Sequence, residues 1–179
     1  ISYLRKNDVI IPLAAIVGAP ACKLNPFYSE QTNFKTMVEL SSNISKDQMV
    51  IFPTTNSGYG VGEKGKYCTE ESELKPVSSY GKQKVELEKI YQNNKSSISL
   101  RLATVLGPSP RMRTDLLVND FVLRSIRDRC IVLFEENFSR NYIHIDDVCN
   151  AFIFSLDKFS TMKNQAYNVG LRTANLTKK

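Results

Sequence analysis

Hydrophobic positions alternate between two patterns along the chain, continuous apolar runs and runs spaced for one face of a helix. Val9 to Ala15 is continuous, as expected of a strand buried on both sides of a parallel sheet. A helix from about Phe27 to Ser42 follows, with Phe34, Met37 and Val38 at helical spacing and Leu40 three residues beyond Met37. The turn-like segment Asn43 to Asp47 leads into a second buried strand, Gln48 to Thr54. Thr55 to Val77 keeps no period and gathers Gly, Ser, Thr and Glu, the mark of a long functional loop. Ser78 or Ser79 can cap the next helix, whose stripe of Val85, Leu87, Ile90 and Tyr91 runs to Asn93-Asn94. Ile98 to Val105 reads as a third buried strand.

After Gly107-Pro108 the elements shorten. They are a helix around Leu116 to Arg127, a strand Cys130 to Phe134, an extended Asn141 to Ile145, a helix from about Asp146 to Leu156, and a strand Ala166 to Val169 before a polar tail. Alternating strands and helices imply an α/β fold with a Rossmann-like, doubly wound parallel sheet. The division expected is 1–107 for the dinucleotide-binding part that carries the chemistry, and 108–179 for a small C-terminal substrate-binding lobe interleaved with that sheet.

Composition narrows the class. The chain has 179 residues, 42% hydrophobic and 23% charged, enough for a sizeable core and too apolar for disorder. Its longest apolar run, from Val9 to Val17, is well short of the roughly 20 residues of a membrane span. No signal-peptide pattern opens it. Four cysteines, Cys22, Cys68, Cys130 and Cys149, lie far apart with no Cys-x-x-Cys pair, and only one histidine is available to join them. Reduced thiols, no metal and a cytoplasmic setting are expected. The net charge of +6 is spread along the chain without interleaved aromatics, which argues against nucleic acid and suits an anionic small substrate such as a nucleotide diphosphate.

Candidate chemistry begins at Tyr80-Gly81-Lys82-Gln83-Lys84. Four-residue spacing places Tyr80 and Lys84 on one helix face, where an ammonium favours the phenolate and makes tyrosine a usable acid/base. An exposed helix that happens to hold both residues is the plainer reading of the spacing alone. Thr54-Thr55-Asn56-Ser57-Gly58-Tyr59-Gly60 ends the second buried strand, at the edge where open α/β sheets bind ligands. Its hydroxyls could bind a substrate oxygen or merely cap the strand.

Together these two stretches, with about 25 residues from Thr55 to Tyr80, resemble the extended short-chain dehydrogenases that act on sugar nucleotides, the NAD-dependent epimerase/dehydratase family. Leu13-Ala14-Ala15 resembles that family's His-Leu-Ala-Ala strand end, with Pro12 in place of His. Gln31-Thr32-Asn33 resembles the Val-Asn opening a helix behind the cofactor, and Arg140-Asn141-Tyr142-Ile143-His144-Ile145-Asp146-Asp147-Val148 resembles the segment near the diphosphate site.

The resemblance implies catalytic roles for Thr55, Tyr80 and Lys84. Thr55 would orient the sugar hydroxyl or ketone, Tyr80 would be the acid/base, and Lys84 would hold the nicotinamide ribose and depress the Tyr80 pKa. It implies NAD or NADP along Leu13, Ala14, Ala15, Asn33, Thr54, Tyr80, Lys84 and Thr104, although Asn often stands where Thr104 does. A nucleotide-diphosphate sugar would meet Thr55, Asn56, Ser57, Asn119 and Arg140. His144 is expected to be structural.

Two departures refine this. Dehydratases of the family carry Asp-Glu after the catalytic Thr; Asn56 and Ser57 stand there, which favours an epimerase or ketoreductase. No Gly-x-x-Gly-x-x-Gly turn is present, and the only glycine before residue 58 is Gly18. The expectation is therefore an incomplete copy of a longer enzyme. The alternative is a shortened, non-catalytic binding or assembly protein that keeps the scaffold. A sheet without its first strands would present an unpaired edge, so a homodimer is expected.

Overall fold

The computed structural model describes residues 3–62, 67–94 and 96–179. The chain forms two compact units, Ile1–Arg101 with Phe154–Asn168, and Leu102–Ile153 with Val169–Lys179. Residues 63–66 of the expected long loop lie outside the described residues.

The first unit is built on a sheet of β1 (Val9–Ile10), β2 (Met49–Thr55), β3 (Ser97–Leu102) and β6 (Gln165–Val169), side by side in that order. Strand β1 (Val9–Ile10) runs parallel to β2 (Met49–Thr55), Val9 opposite Met49 and Ile10 opposite Val50. Between them lie α1 (Ala19–Leu24), α2 (Pro26–Glu30), a π turn (Gln31–Lys35) and α3 (Thr36–Asn43). Helix α4 (Ser79–Asn94) connects β2 to β3 (Ser97–Leu102). Successive strands joined through helices and lying side by side make an α/β fold of Rossmann-like type.

Burial follows the apolar runs. Val50, Ile51 and Phe52 of β2 are fully buried, and Phe52 stacks on Tyr91 of α4 with centroids 4.7 Å apart. Met37, Ile44 and Leu87 close this core, and the Tyr91 hydroxyl donates to the Met37 carbonyl at 2.9 Å. Each such side chain contributes about 2 kcal/mol by leaving water. Of the two candidate caps for α4, Ser78 is used, its Oγ accepting the Gly81 N–H at 3.0 Å.

In the second unit β4 (Thr104–Leu106) runs parallel to β5 (Arg140–His144), and β5 is antiparallel to β7 (Asn175–Leu176). Helix α5 (Leu117–Arg127) precedes β5, and α6 (Ile145–Asp157) follows it directly. Ala103, Ile143 and Val148 form its buried centre. The short α7 (Phe159–Met162) and β6 (Gln165–Val169) complete the order. No helix among the described residues is long and apolar enough to cross a membrane.

Three apolar runs differ from their reading as strands. Val9 to Ala15 pairs only at Val9–Ile10, because Pro12 has no N–H and the Ile16 backbone is taken by Asn33 instead of a strand. Ile98 to Val105 divides at Ala103, whose N–H donates to the Val169 carbonyl at 2.9 Å, and its two parts serve two sheets. Cys130 to Phe134 forms no strand. Arg129 and Glu135, at φ 52° and 50°, turn the chain at both ends, and Val132 and Phe134 are left exposed. The polar tail, by contrast, does pair, through β7.

Candidate active site

Strand β2 ends at Thr55 in extended conformation, and its Oγ1 accepts the Ser57 N–H at 3.1 Å. That bond starts the 3-10 turn Asn56–Tyr59. Thr54 is buried and its hydroxyl has no hydrogen-bond partner among the described residues. The turn lies directly on α4. A Cβ on Gly58 would come 3.0 Å from Val85 Cγ2, and one on Gly81 would meet the Ser57 carbonyl at 3.4 Å. Gly60, at φ +74°, bends the chain away where a Cβ would strike the Lys75 carbonyl.

Helix α4 presents Tyr80 and Lys84 to this strand end. Lys84 is 4% exposed, and its Nζ donates to the Pro53 carbonyl at 3.0 Å. The ammonium lies 4.8 Å from the Phe52 ring centroid and 6.0 Å from that of Tyr80. Burial pulls its pKa down to about 8, so it remains mostly charged at neutral pH. The half-buried Tyr80 and the buried Lys84 thus share one face, as their spacing predicts.

Beside them is a polar cluster that sequence reasoning missed. Arg101 of β3 grips Glu88 of α4, with Nη2 to Oε1 at 2.6 Å and Nε to both carboxylate oxygens at 3.2 Å. Its Nη1 donates to the Tyr59 hydroxyl at 2.8 Å. Desolvation works against the Arg101 charge, but the bonds to Glu88 and Tyr59 outweigh it and the pKa rises. Burial raises the Tyr59 pKa, with Arg101 opposing. A charged residue inside the apolar run Ile98 to Val105 was the available signal.

Among the residues expected along a cofactor, Leu13 and Ala14 are exposed and Ala15 is half-buried, all in the irregular stretch after β1. Asn33 is 1% exposed and fully engaged. Its Oδ1 accepts the Ile16 N–H at 2.7 Å, while its Nδ2 donates to the Ile16 carbonyl at 2.8 Å and to Ser29 Oγ at 3.2 Å. It shapes the stretch containing Leu13 to Ala15.

Thr104, Asn119 and Arg140 belong to the second unit. Thr104 pairs with Tyr142. Asn119 is buried, accepting the Gly107 N–H at 3.5 Å and donating to the Arg113 carbonyl at 3.0 Å, so it fastens the loop 107–113 to α5. Arg140 is exposed at the start of β5. His144 accepts the Asp146 N–H at 3.3 Å, and its ring occupies the space a Cβ on Gly107 would need.

Residues 2–170 match the model of the NAD dependent epimerase/dehydratase family. The chain belongs to that family. The uncharacterized UDP-glucose epimerase YtcB of Bacillus subtilis is 30% identical to it over 166 residues, 88% of this chain and 51% of that protein. The UDP-glucose 4-epimerase of Lactobacillus helveticus is 24% identical over 189 residues, 93% of this chain and 57% of that protein. Among solved structures, the UDP-glucuronic acid 4-epimerase of Bacillus cereus, in complex with UDP-glucuronic acid and NAD, superposes with a TM-score of 0.80 at 26% identity. That match covers 94% of this chain and 55% of the Bacillus cereus chain. This epimerase/dehydratase-family chain therefore spans about half the length of the relatives it matches.

Proposed function

We propose that this chain carries the acid/base half of an NAD-dependent epimerase acting on a nucleotide-diphosphate sugar, with Tyr80 as the proton-transfer group. The observation that carries the reading is the convergence of the Thr55 turn and the Tyr80–Lys84 face of α4 at the C-terminal end of β2. The relatives' names, with UDP-sugars and NAD in them, support the substrate and cofactor classes.

The residues fit the nicotinamide end of a dinucleotide. Among the described residues Thr54 offers a buried hydroxyl without a partner, Lys84 donates to the Pro53 carbonyl, and Leu13 and Ala14 are exposed. When bound, the nicotinamide supplies the hydride acceptor and donor. Thr55 orients the sugar oxygen, and Tyr80 takes its proton and later returns it. A positive charge at the range of Lys84 favours the proton-accepting phenolate. Asn33 acts on the cofactor edge through Ile16 rather than by contact. Asn56 and Ser57 bring no carboxyl for elimination of water, so the sugar leaves with its oxygens in place and the product is an epimer or an alcohol.

The test is turnover of UDP-sugars by the purified chain with NAD. Tyr80→Phe is expected to lower kcat by about 10²-fold or more with NAD affinity retained. Unchanged turnover would sink the assignment. The second reading, a scaffold that does not catalyse, predicts no NAD binding even at millimolar concentration.

A further inference from the structure

Tyr59, Glu88 and Arg101 take no part in the proposed chemistry, yet they form a closed polar circuit inside the first unit. Arg101 is 7% exposed and Glu88 is 2%. One edge of the guanidinium holds the carboxylate, while Nη1 reaches both the Tyr59 hydroxyl at 2.8 Å and the Glu70 carbonyl at 3.1 Å. The Tyr59 hydroxyl donates to Asn168 Oδ1 at 2.7 Å, and the Asn168 N–H donates to Glu70 Oε1 at 2.7 Å. Five segments meet here: β3, α4, the turn after β2, the loop around Glu70, and β6.

Stability alone does not account for such a pair, because an apolar pair of similar volume holds a core about as well. Geometry does. A guanidinium is a rigid planar fork, so fastening one edge to α4 and the other to Tyr59 fixes the distance between helix and turn. Glu88 lies four residues beyond Lys84, on the same face of α4. Tyr59 closes the turn that Thr55 opens. We infer that Arg101, oriented by Glu88, is a positioning residue that holds the Thr55–Tyr59 turn in register with Tyr80 and Lys84. Its link to turnover rests on the roles proposed above for those three residues.

Two variants of the full chain test this. Glu88→Leu with Arg101→Met removes the ion pair without leaving a lone buried charge. Tyr59→Phe keeps the pair and removes the hydroxyl's bonds to Arg101 and to Asn168, and the control Asn168→Ala, which removes the second bond while leaving the first, is expected to keep native exchange in the turn. Amide hydrogen exchange is read at Ser57 and Gly60, whose N–H groups bond to Thr55 Oγ1 and the Ser57 carbonyl, and at Leu87 to Tyr91 in α4. At least ten-fold faster exchange in the turn is expected in both variants, with native protection in α4. In parallel, kcat is expected to fall ten-fold or more while KM for the sugar nucleotide and the affinity for NAD stay within two-fold. Native exchange at Ser57 and Gly60 in Tyr59→Phe overturns the inference, whether or not the double variant folds. So does a loosened turn with wild-type kcat. Arg101→Lys keeps a charge for Glu88 but not the fork, and restoration of native exchange by lysine would overturn the geometric argument. A wild-type chain that neither binds NAD nor turns over would fail the proposed function, and exchange alone would then decide whether Arg101 holds the turn.

Discussion

Replacing Lys84 with methionine should make the protein more stable at neutral pH and, on the role proposed above for Lys84, abolish turnover. Burial lowers the Lys84 pKa from 10.5 to about 8. At about 1.4 kcal/mol per pKa unit, the folded state carries a penalty of about 3 kcal/mol for the ammonium at pH 7. The bond to the Pro53 carbonyl and the contact with the Phe52 ring, lost in Lys84→Met, offset about half of that. A methionine of similar length keeps the volume and packs against the same ring. The net expectation is a gain of about 1–2 kcal/mol at pH 7.

The pH dependence gives the sharper signature. Between pH 8 and 10.5 the unfolded chain binds the Lys84 proton and the folded chain does not, so wild-type stability from this group rises with pH across that window. Below pH 8 the penalty is complete; above 10.5 it is gone. The methionine variant has no such dependence. Its advantage should therefore shrink by about 3 kcal/mol from pH 7 to 10.5, reversing sign on the way. Urea unfolding at several pH values measures it, and subtracting the two curves removes groups common to both, including Tyr91, whose pKa burial raises. A difference that stays constant with pH, or a variant less stable at pH 7, would refute the account of Lys84 as an ammonium held against its solvation.

Two further substitutions probe the frame around the site. Asn33→Leu leaves the Ile16 N–H without its partner and the Ile16 carbonyl with the weak Cys22 thiol donor, and should lower the unfolding free energy by about 2 kcal/mol, with loss below 1 kcal/mol counting against the buried clamp. Gly60→Ala places a methyl on the Lys75 carbonyl at a positive φ, and should cost about 1–3 kcal/mol in denaturant unfolding; a neutral result would mean the loop moves aside freely.

The parts of this architecture that are local in sequence were legible in it. Tyr80 and Lys84 meet because a helix repeats every 3.6 residues, and the Ser78 cap, the α4 stripe and the Phe52 strand follow from equally short-range rules. What was hidden depends on partners far away. An apolar run reports burial and says nothing of pairing, so Ile98 to Val105 hid its division between two sheets, and Cys130 to Phe134 looked like a strand without having a ladder to join. The Asn33 amide is engaged with Ile16, 17 residues earlier, a pairing the local pattern does not report. Tyr59 meets Asn168 across 109 positions, a distance no periodicity encodes.

Two buried cations among the described residues of the first unit separate what stabilises this fold from what the proposed chemistry would need. Arg101 and Lys84 are 7% and 4% exposed. Arg101 has a carboxylate, a phenol and a carbonyl around it, and its charge is held more firmly than in water. Lys84 has one carbonyl and two aromatic faces, and no carboxylate among the described residues pairs with it. A core selected for stability alone would supply Lys84 with a partner or replace it with an apolar side chain. Its solvation penalty falls beside Tyr80, where the proposed acid/base chemistry would use a positive charge, whereas the cost of burying Arg101 is met by its neighbours. The asymmetry predicts that Lys84 substitutions trade activity for stability, while breaking the Arg101–Glu88 pair from one side only loses both.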